Sequence, residues 1–281
     1  MSSAAPALWT CTNAEYHADT ERVSRSMAET YRKSPRLYHG RYVSRTIPPP
    51  EPTPALRLGS AFHSLTLEPS TYDGLYFVAP KCDRRTKAGK AEWAAAMAEA
   101  GTRTLVKQDE AEQVQAWRDA VMANPHARTL IECDGLTEQS LQWRDPQTGL
   151  ALKARTDKLI NVLIVDLKSA AEVAPARWIR SCVSFGYHRQ AAWYIDGVQA
   201  LTGEQAGMVF LVVGKEPPHE VATYELDGDA LLLGRGENSR TLRELADRYE
   251  RDEWTADYEL EPLTLSLPRW AGNDAAWEVS E

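Results

Sequence analysis

Cysteine is scarce and dispersed. Cys11, Cys82, Cys133 and Cys182 are the four in 281 residues, and no C-x-x-C pair occurs. Such spacing offers neither a zinc knuckle nor the ligands of an iron–sulfur cluster, and free thiols fit a reducing compartment. Long apolar runs are missing as well. With no stretch of roughly 18 apolar residues, neither a spanning helix nor a membrane partner is expected. Met1–Trp9 is too short and uncharged for a secretory leader, so a cytoplasmic location is expected. Internal repeats are absent, which removes solenoids and propellers. Positive charge is also in short supply: 32 Lys and Arg face 40 Asp and Glu, a net −8. Averaged over the chain, that balance argues mildly against a nucleic-acid partner, whose backbone attracts a positive field.

What is present reads as helices followed by a sheet. Residues 1–46 are helical and basic, with breaks at Ser34-Pro35, and Pro48–Pro54 is an extended connector. Residues 1–54 are therefore set apart as a helical extension, and 55–281 as one catalytic-sized unit. A buried helix covers 55–69 and stops at Pro69, and a short strand follows near 75–79. Lys81–Lys90 is a polar, basic loop, with helices at about 91–100 and 108–123. From residue 139 the period switches to two. Gln139–Arg144 and Leu150–Asp157 flank a turn at Asp145-Pro146-Gln147-Thr148-Gly149, a hairpin. Asn161 then breaks the run before an apolar strand to Lys168. Helices at 175–182 and 187–201, strands at 208–213 and 219–226, and a helix at about 228–250 complete the chain. The fold class is α/β, mixed α+β, with a helical crossover joining strands at 162–168 and 208–213 in parallel.

The chemistry concentrates where two strands end. Asp157 closes one strand, and Asp166 and Lys168 close its neighbour, two apart and so on one face. Two carboxylates and an ammonium at one end of a sheet can hold a hard divalent cation and steer a water. The tripeptide alone carries little information: 40 acidic residues and nine lysines in 281 positions produce about 1.3 such matches by chance. An apolar strand that ends in charge needs compensation, however, and that raises its weight. His63 interrupts an apolar helix and can add a nitrogen ligand, while Gly59, one turn earlier, is expected to let another backbone approach. Gln190 and Tyr194 share a helix face, and both can donate to a phosphate or brace the lysine.

In order, Gly59-x-x-x-His63, Asp157, Asp166-Leu167-Lys168 and Gln190-x-x-x-Tyr194 resemble the motif series of RecB-like nucleases in the PD-(D/E)xK superfamily. Ser24-Arg25-Ser26, Ser34-Pro35, Leu67-Glu68-Pro69 and the stretch Arg84–Lys90 resemble the phage and prophage RecE-like (exonuclease VIII type) branch. The resemblance spans about residue 12 to residue 270. It implies a restriction-endonuclease-like core with a central mixed sheet flanked by helices. It implies His63, Asp157 and Asp166 as metal ligands with the Leu167 backbone carbonyl, Lys168 as the catalytic lysine, and Gln190 and Tyr194 as positioning groups. It further implies Mg²⁺, with Mn²⁺ as substitute, and 5′→3′ resection of linear double-stranded DNA. A single-strand annealing partner and a homo-oligomeric ring, a tetramer among its forms, belong to the same expectation. Asp166 stands where many members carry Glu. A non-catalytic DNA-binding or assembly protein, and a metal-dependent endonuclease, are the alternatives.

Resolved along the chain, the charge objection weakens. Glu21–Arg45 holds seven Arg or Lys against two Glu, and Lys81–Lys107 seven against three acids. Arg84, Arg85, Lys87 and Lys90 are the candidate DNA-binding residues, with Tyr31 and Trp93 as aromatics that can stack on bases. The acidic excess sits in residues 216–261, 14 acids against five Arg, and reads as an outer or intersubunit face.

Overall fold

Short polar side chains set the helix starts in the first half of the chain. The computed structural model describes residues 6–266. Strand β1 (Ala7–Trp9) precedes α1 (Asn13–Ala18), where Thr12 and Glu15 cap each other's backbone N–H. Strand β2 (Val23–Ser24) runs directly into α2 (Arg25–Lys33), with Ser24 accepting from the Met27 N–H. Ser34 ends α2 and caps α3 (Pro35–Tyr38), which a π-helical turn at His39–Val43 follows. Thr53 and Pro54 open α4 (Pro54–Leu67). The helix ends at Leu67, with Glu68 non-helical ahead of Pro69, as expected, but Pro69 has a second role. It starts the next, α5 (Pro69–Leu75), at the position where a missing N–H costs nothing.

Strands β3 (Tyr76–Val78) and β4 (Thr104–Val106) pair in parallel and close off an excursion that contains α6 (Lys87–Ala100). Thr86 caps α6 at Lys87, so the last four residues of the expected basic loop are helical. After α7 (Gln108–Ala123) comes α8 (Pro125–Glu132), absent from the expectation; its signal is the Asn124-Pro125 cap and first turn.

The expected hairpin is β5 (Leu136–Arg144) and β6 (Ala151–Ile160), and β7 (Leu163–Ala170) follows the turn at Asn161. Helices α9 (Pro175–Phe185) and α10 (Tyr187–Thr202) cross over to β8 (Gly207–Gly214), parallel to β7. Strand β9 (Val221–Glu225) returns antiparallel, followed by α11 (Gly228–Arg251) and the short α12 (Asp257–Leu260). The sheet order is β1-β5-β6-β7-β8-β9, with β2 alongside β6.

Both faces of the sheet are covered. Ile164, Phe210 and Val212 join a core with α2, α9, α10 and α11, while Val165, Leu167, Val209 and Leu211 pack under α4 and α7. Burial on two sides is why β7 and β8 read as continuous apolar runs rather than alternating ones. The architecture is the expected mixed α/β sheet between helical layers. The segment before residue 54 is more than a helical extension: it contributes β1 and β2 to the sheet and Val23, Met27, Ala28, Tyr31 and Tyr38 to the larger core. Among the described residues no helix is long and apolar enough to cross a membrane.

One departure from regular pairing positions the chemistry. β6 and β7 pair only at Lys158↔Val165, Leu159↔Ile164 and Ile160↔Leu163. The strands then part, β6 taking β2 as its neighbour at Leu152 and Lys153. Asp157 and Asp166 stand at the mouth of the gap.

Candidate active site

Strand separation frees backbone groups that must find partners. The Leu167 N–H finds one in Asp157 Oδ2, at 2.7 Å. A residue's own N–H and C=O leave a strand on the same edge. The Leu167 carbonyl therefore also faces the gap. On the other side of Asp157, Oδ1 lies 3.5 Å from His63 Nδ1. His63 is aimed by its neighbour: Phe62 is fully buried, its ring edge-on to Trp117 at 5.6 Å, which locks α4 over this face of the sheet. Gly59 does not serve as a close-approach point, since a Cβ there would meet nothing within 4 Å.

Asp166 and Lys168 project from the opposite face of β7, toward α10. Asp166 is buried; Gln190 Nε2 donates to its Oδ1 at 2.6 Å, and the Lys168 ammonium pairs with Oδ2. The ammonium also sits 5.3 Å from the Tyr187 ring centre. Tyr194, one turn beyond Gln190, is held well above its ordinary pKa by burial, with Tyr16, Asp166 and Asp157 adding to the rise. The structure thus gathers His63, Asp157, Leu167, Asp166, Lys168, Gln190 and Tyr194 around one gap, from four separate elements.

The electrostatics show opposing demands. Burial works against each charged form, and the neighbours decide the outcome. For His63 burial disfavours the imidazolium, but the Asp157 carboxylate outweighs it and the pKa rises. For Asp157 burial is overcome by His63, Lys168 and the Leu167 N–H, and the pKa falls. For Asp166 burial dominates and Asp157 adds to it, so the pKa rises despite Lys168. Lys168 is pushed down by burial but carried above its ordinary value by Asp166 and Asp157. It is an ammonium, held between carboxylates.

A further carboxylate belongs to this cluster. Glu138 of β5 offers an oxygen that lies, with ligand atoms of His63 and Asp157, within 4.8 Å of one another. Burial and the Asp157 charge raise its pKa, and Arg155 Nε donates to its Oε2 at 2.9 Å. The alternation read from Gln139 onward stops one residue short of it. The hairpin register was the available signal, because it places residue 138 opposite residue 157.

Residues 24–257 match the family described as a PDDEXK-like domain of unknown function (DUF3799). The chain belongs to the PDDEXK-like family. Its fold is shared with the crystal structure of a "putative exonuclease" from Eubacterium rectale, at 14% sequence identity and a TM-score of 0.62 over 96% of this chain and 99% of that one. No curated protein matches the chain. The PDDEXK-like fold implies a divalent cation, and the donors here suit one. An imidazole nitrogen, carboxylates and a backbone carbonyl form a hard, oxygen-rich set, and the mutual repulsion of Asp157, Asp166 and Glu138 is what a cation relieves. Asp166 is engaged differently from the other ligand candidates, with its oxygens held by Gln190 and Lys168.

Arg84, Arg85, Lys87 and Lys90 lie on the β3–β4 excursion. The Arg84 guanidinium stacks on Trp93 at 4.6 Å, and Arg85 forks onto the Asp83 carboxylate through Nε and Nη2 at 3.0 and 3.1 Å. Lys87 and Lys90 stand in the first turn of α6, exposed. Tyr31 is not a stacking surface: it is buried in the core, edge-on to Tyr38 at 5.9 Å. Part of the basic N-terminal segment is paired with carboxylates. Arg22 pairs with Asp19 at 2.9 Å, and Arg36 with Glu259 at 2.8 Å.

Proposed function

We propose that this chain is a Mg²⁺-dependent exodeoxyribonuclease that resects linear double-stranded DNA in the 5′→3′ direction and leaves 3′ overhangs for recombination by strand annealing. The observation that carries the reading is the convergence of His63, Asp157, Asp166 and Lys168 on one gap in the sheet. Bound there, the cation would polarise a phosphate oxygen and lower the pKa of a water. Mn²⁺ would serve in its place.

The protein's own groups account for the rest. Asp157, His63, Asp166 and the Leu167 carbonyl would hold the cation. Gln190 fixes the Asp166 carboxylate in orientation through its 2.6 Å hydrogen bond. Lys168, kept protonated by its acidic neighbours, supplies positive charge where negative charge develops on the phosphate and steers the attacking water. Tyr194, a neutral phenol at all physiological pH, can donate but not repel a phosphate. Arg84, Lys87 and Lys90 are the proposed phosphate-tracking surface. A single-strand annealing protein and further copies of this chain in a ring are the proposed partners.

The test is digestion of end-labelled linear duplex, covalently closed circle and single strand with Mg²⁺, by wild type, Asp166→Ala and Lys168→Ala. Nucleotide release from the linear duplex alone is expected, with a loss of about a thousandfold or more in both variants. Cutting of the closed circle would make the enzyme an endonuclease. Variants as active as wild type would remove the site from the chemistry.

A further inference from the structure

Glu138 lies outside every motif of the series above, on a strand that contributes no other group to the site. We propose that Glu138 is a ligand of the active-site cation, and that the backbone of β5 is distorted in order to aim it. The inference rests on the cation reading of the site, and adds a donor to it.

Three features of the structure meet at this residue. The β5–β6 register runs through Thr137↔Lys158 and Gln139↔Thr156, so Glu138 stands opposite Asp157. Like charges directly opposite one another on an antiparallel pair destabilise it. The backbone at Glu138 is left-handed, with φ 48°, a conformation that costs a non-glycine residue energy and persists only where the surroundings enforce it. Finally, the side chain, 26% exposed, brings an oxygen to His63 and Asp157, with ligand atoms of all three within 4.8 Å of one another. A carboxylate held in a strained backbone, against another carboxylate, is unfavourable on every count unless a cation joins them. Arg155 compensates in part through the 2.9 Å bond to Oε2, but its guanidinium is shared with Ser140 Oγ and the Cys11 carbonyl.

The experiment is Mn²⁺ binding to the full-length, DNA-free protein, followed by paramagnetic resonance of the free ion and by calorimetry. Glu138→Gln should weaken binding by about tenfold or more, at least the loss that follows removal of a group supporting the ligands from outside. Glu138→Gly should weaken binding to the same degree while raising the melting temperature of the metal-free protein, because glycine accepts the positive φ. Asp157→Asn is the control that separates the readings. If Asp157→Asn abolishes binding while Glu138→Gln and Glu138→Gly bind like wild type, the role of Glu138 is overturned and the cation site stands. If wild type itself binds no Mn²⁺, both fall. A Glu138→Gln protein that loses stability but keeps wild-type affinity would make Glu138 merely the partner of Arg155, and overturns the proposal too.

Discussion

Replacing Lys153 by methionine should remove a contribution to stability that grows as the pH becomes alkaline. Lys153 lies on β6 with 1% of its surface exposed. Its ammonium donates to the carbonyls of Tyr16 and Asp19, sits 3.8 Å from the Asp19 carboxylate, and lies 4.4 Å from the centre of the Tyr16 ring. Burial is the main influence and pushes its pKa from 10.5 down to about 8, with Asp19 opposing and Arg22 reinforcing the fall. Between those two values the unfolded chain carries a proton that the folded one has released. The contribution of this group to stability therefore climbs from about pH 8 to 10.5 and is level on either side. At about 1.36 kcal/mol per unit, the gap amounts to about 3 kcal/mol. Lys153→Met keeps the length of the side chain and removes the titration, at the expense of two hydrogen bonds whose loss lowers stability at every pH. The difference between the proteins should thus widen by about 3 kcal/mol across that window, read from urea unfolding at each pH. Parallel stability curves would refute the assignment. The contact matters to the site because Lys153 fastens the end of α1 to β6, next to the place where β2 replaces β7 as its neighbour.

Two further outcomes follow from the geometry. DNA binding should weaken with salt by about 0.9 log units per log unit of salt for each phosphate contact. Arg84→Glu should flatten that slope by about one contact, whereas Arg85→Glu should change it little, because Arg85 is already committed to Asp83; equal effects from the two would contradict this division. Gly234→Ala should lower the melting temperature, since a Cβ there would stand 2.3 Å from the His188 carbonyl oxygen and force α10 and α11 apart, at about 1–3 kcal/mol. An unchanged melting temperature would mean that the two helices are not packed as closely as described.

Much of the fold was legible because its signals are local. Period-two runs and a crossover helix are enough to lay out β5 to β8, and capping residues mark most helix starts. Asp166 and Lys168 could be placed on one face from their spacing alone. Other features could not be read this way. The register that sets Glu138 against Asp157 depends on where β5 begins, and its alternation is interrupted at the residue that matters. Pro69 bounds α4 as expected but also opens α5, a role that depends on the chain continuing helically beyond it.

The charge balance shows the same division. By itself the amino-acid sequence determined that the N-terminal third is basic and residues 216–261 acidic, and that Asp166 and Lys168 share a strand face; the carboxylates, expected at strand ends, lie inside β6 and β7, which run on to Ile160 and Ala170. Only the tertiary structure decided what those charges do. Arg36 meets Glu259, and Arg189 bridges Glu29 and Glu237 at 2.6 and 2.8 Å, so part of the acidic excess, expected as an outer face, is spent holding α2 against α10 and α11. Likewise the site exists because β6 and β7 separate after three paired residues, and the freed Leu167 N–H draws in Asp157. Composition and spacing carry information over a few residues. An ion pair or a strand split is decided by groups far apart in the chain, brought together only when burial of the core leaves them no water to turn to.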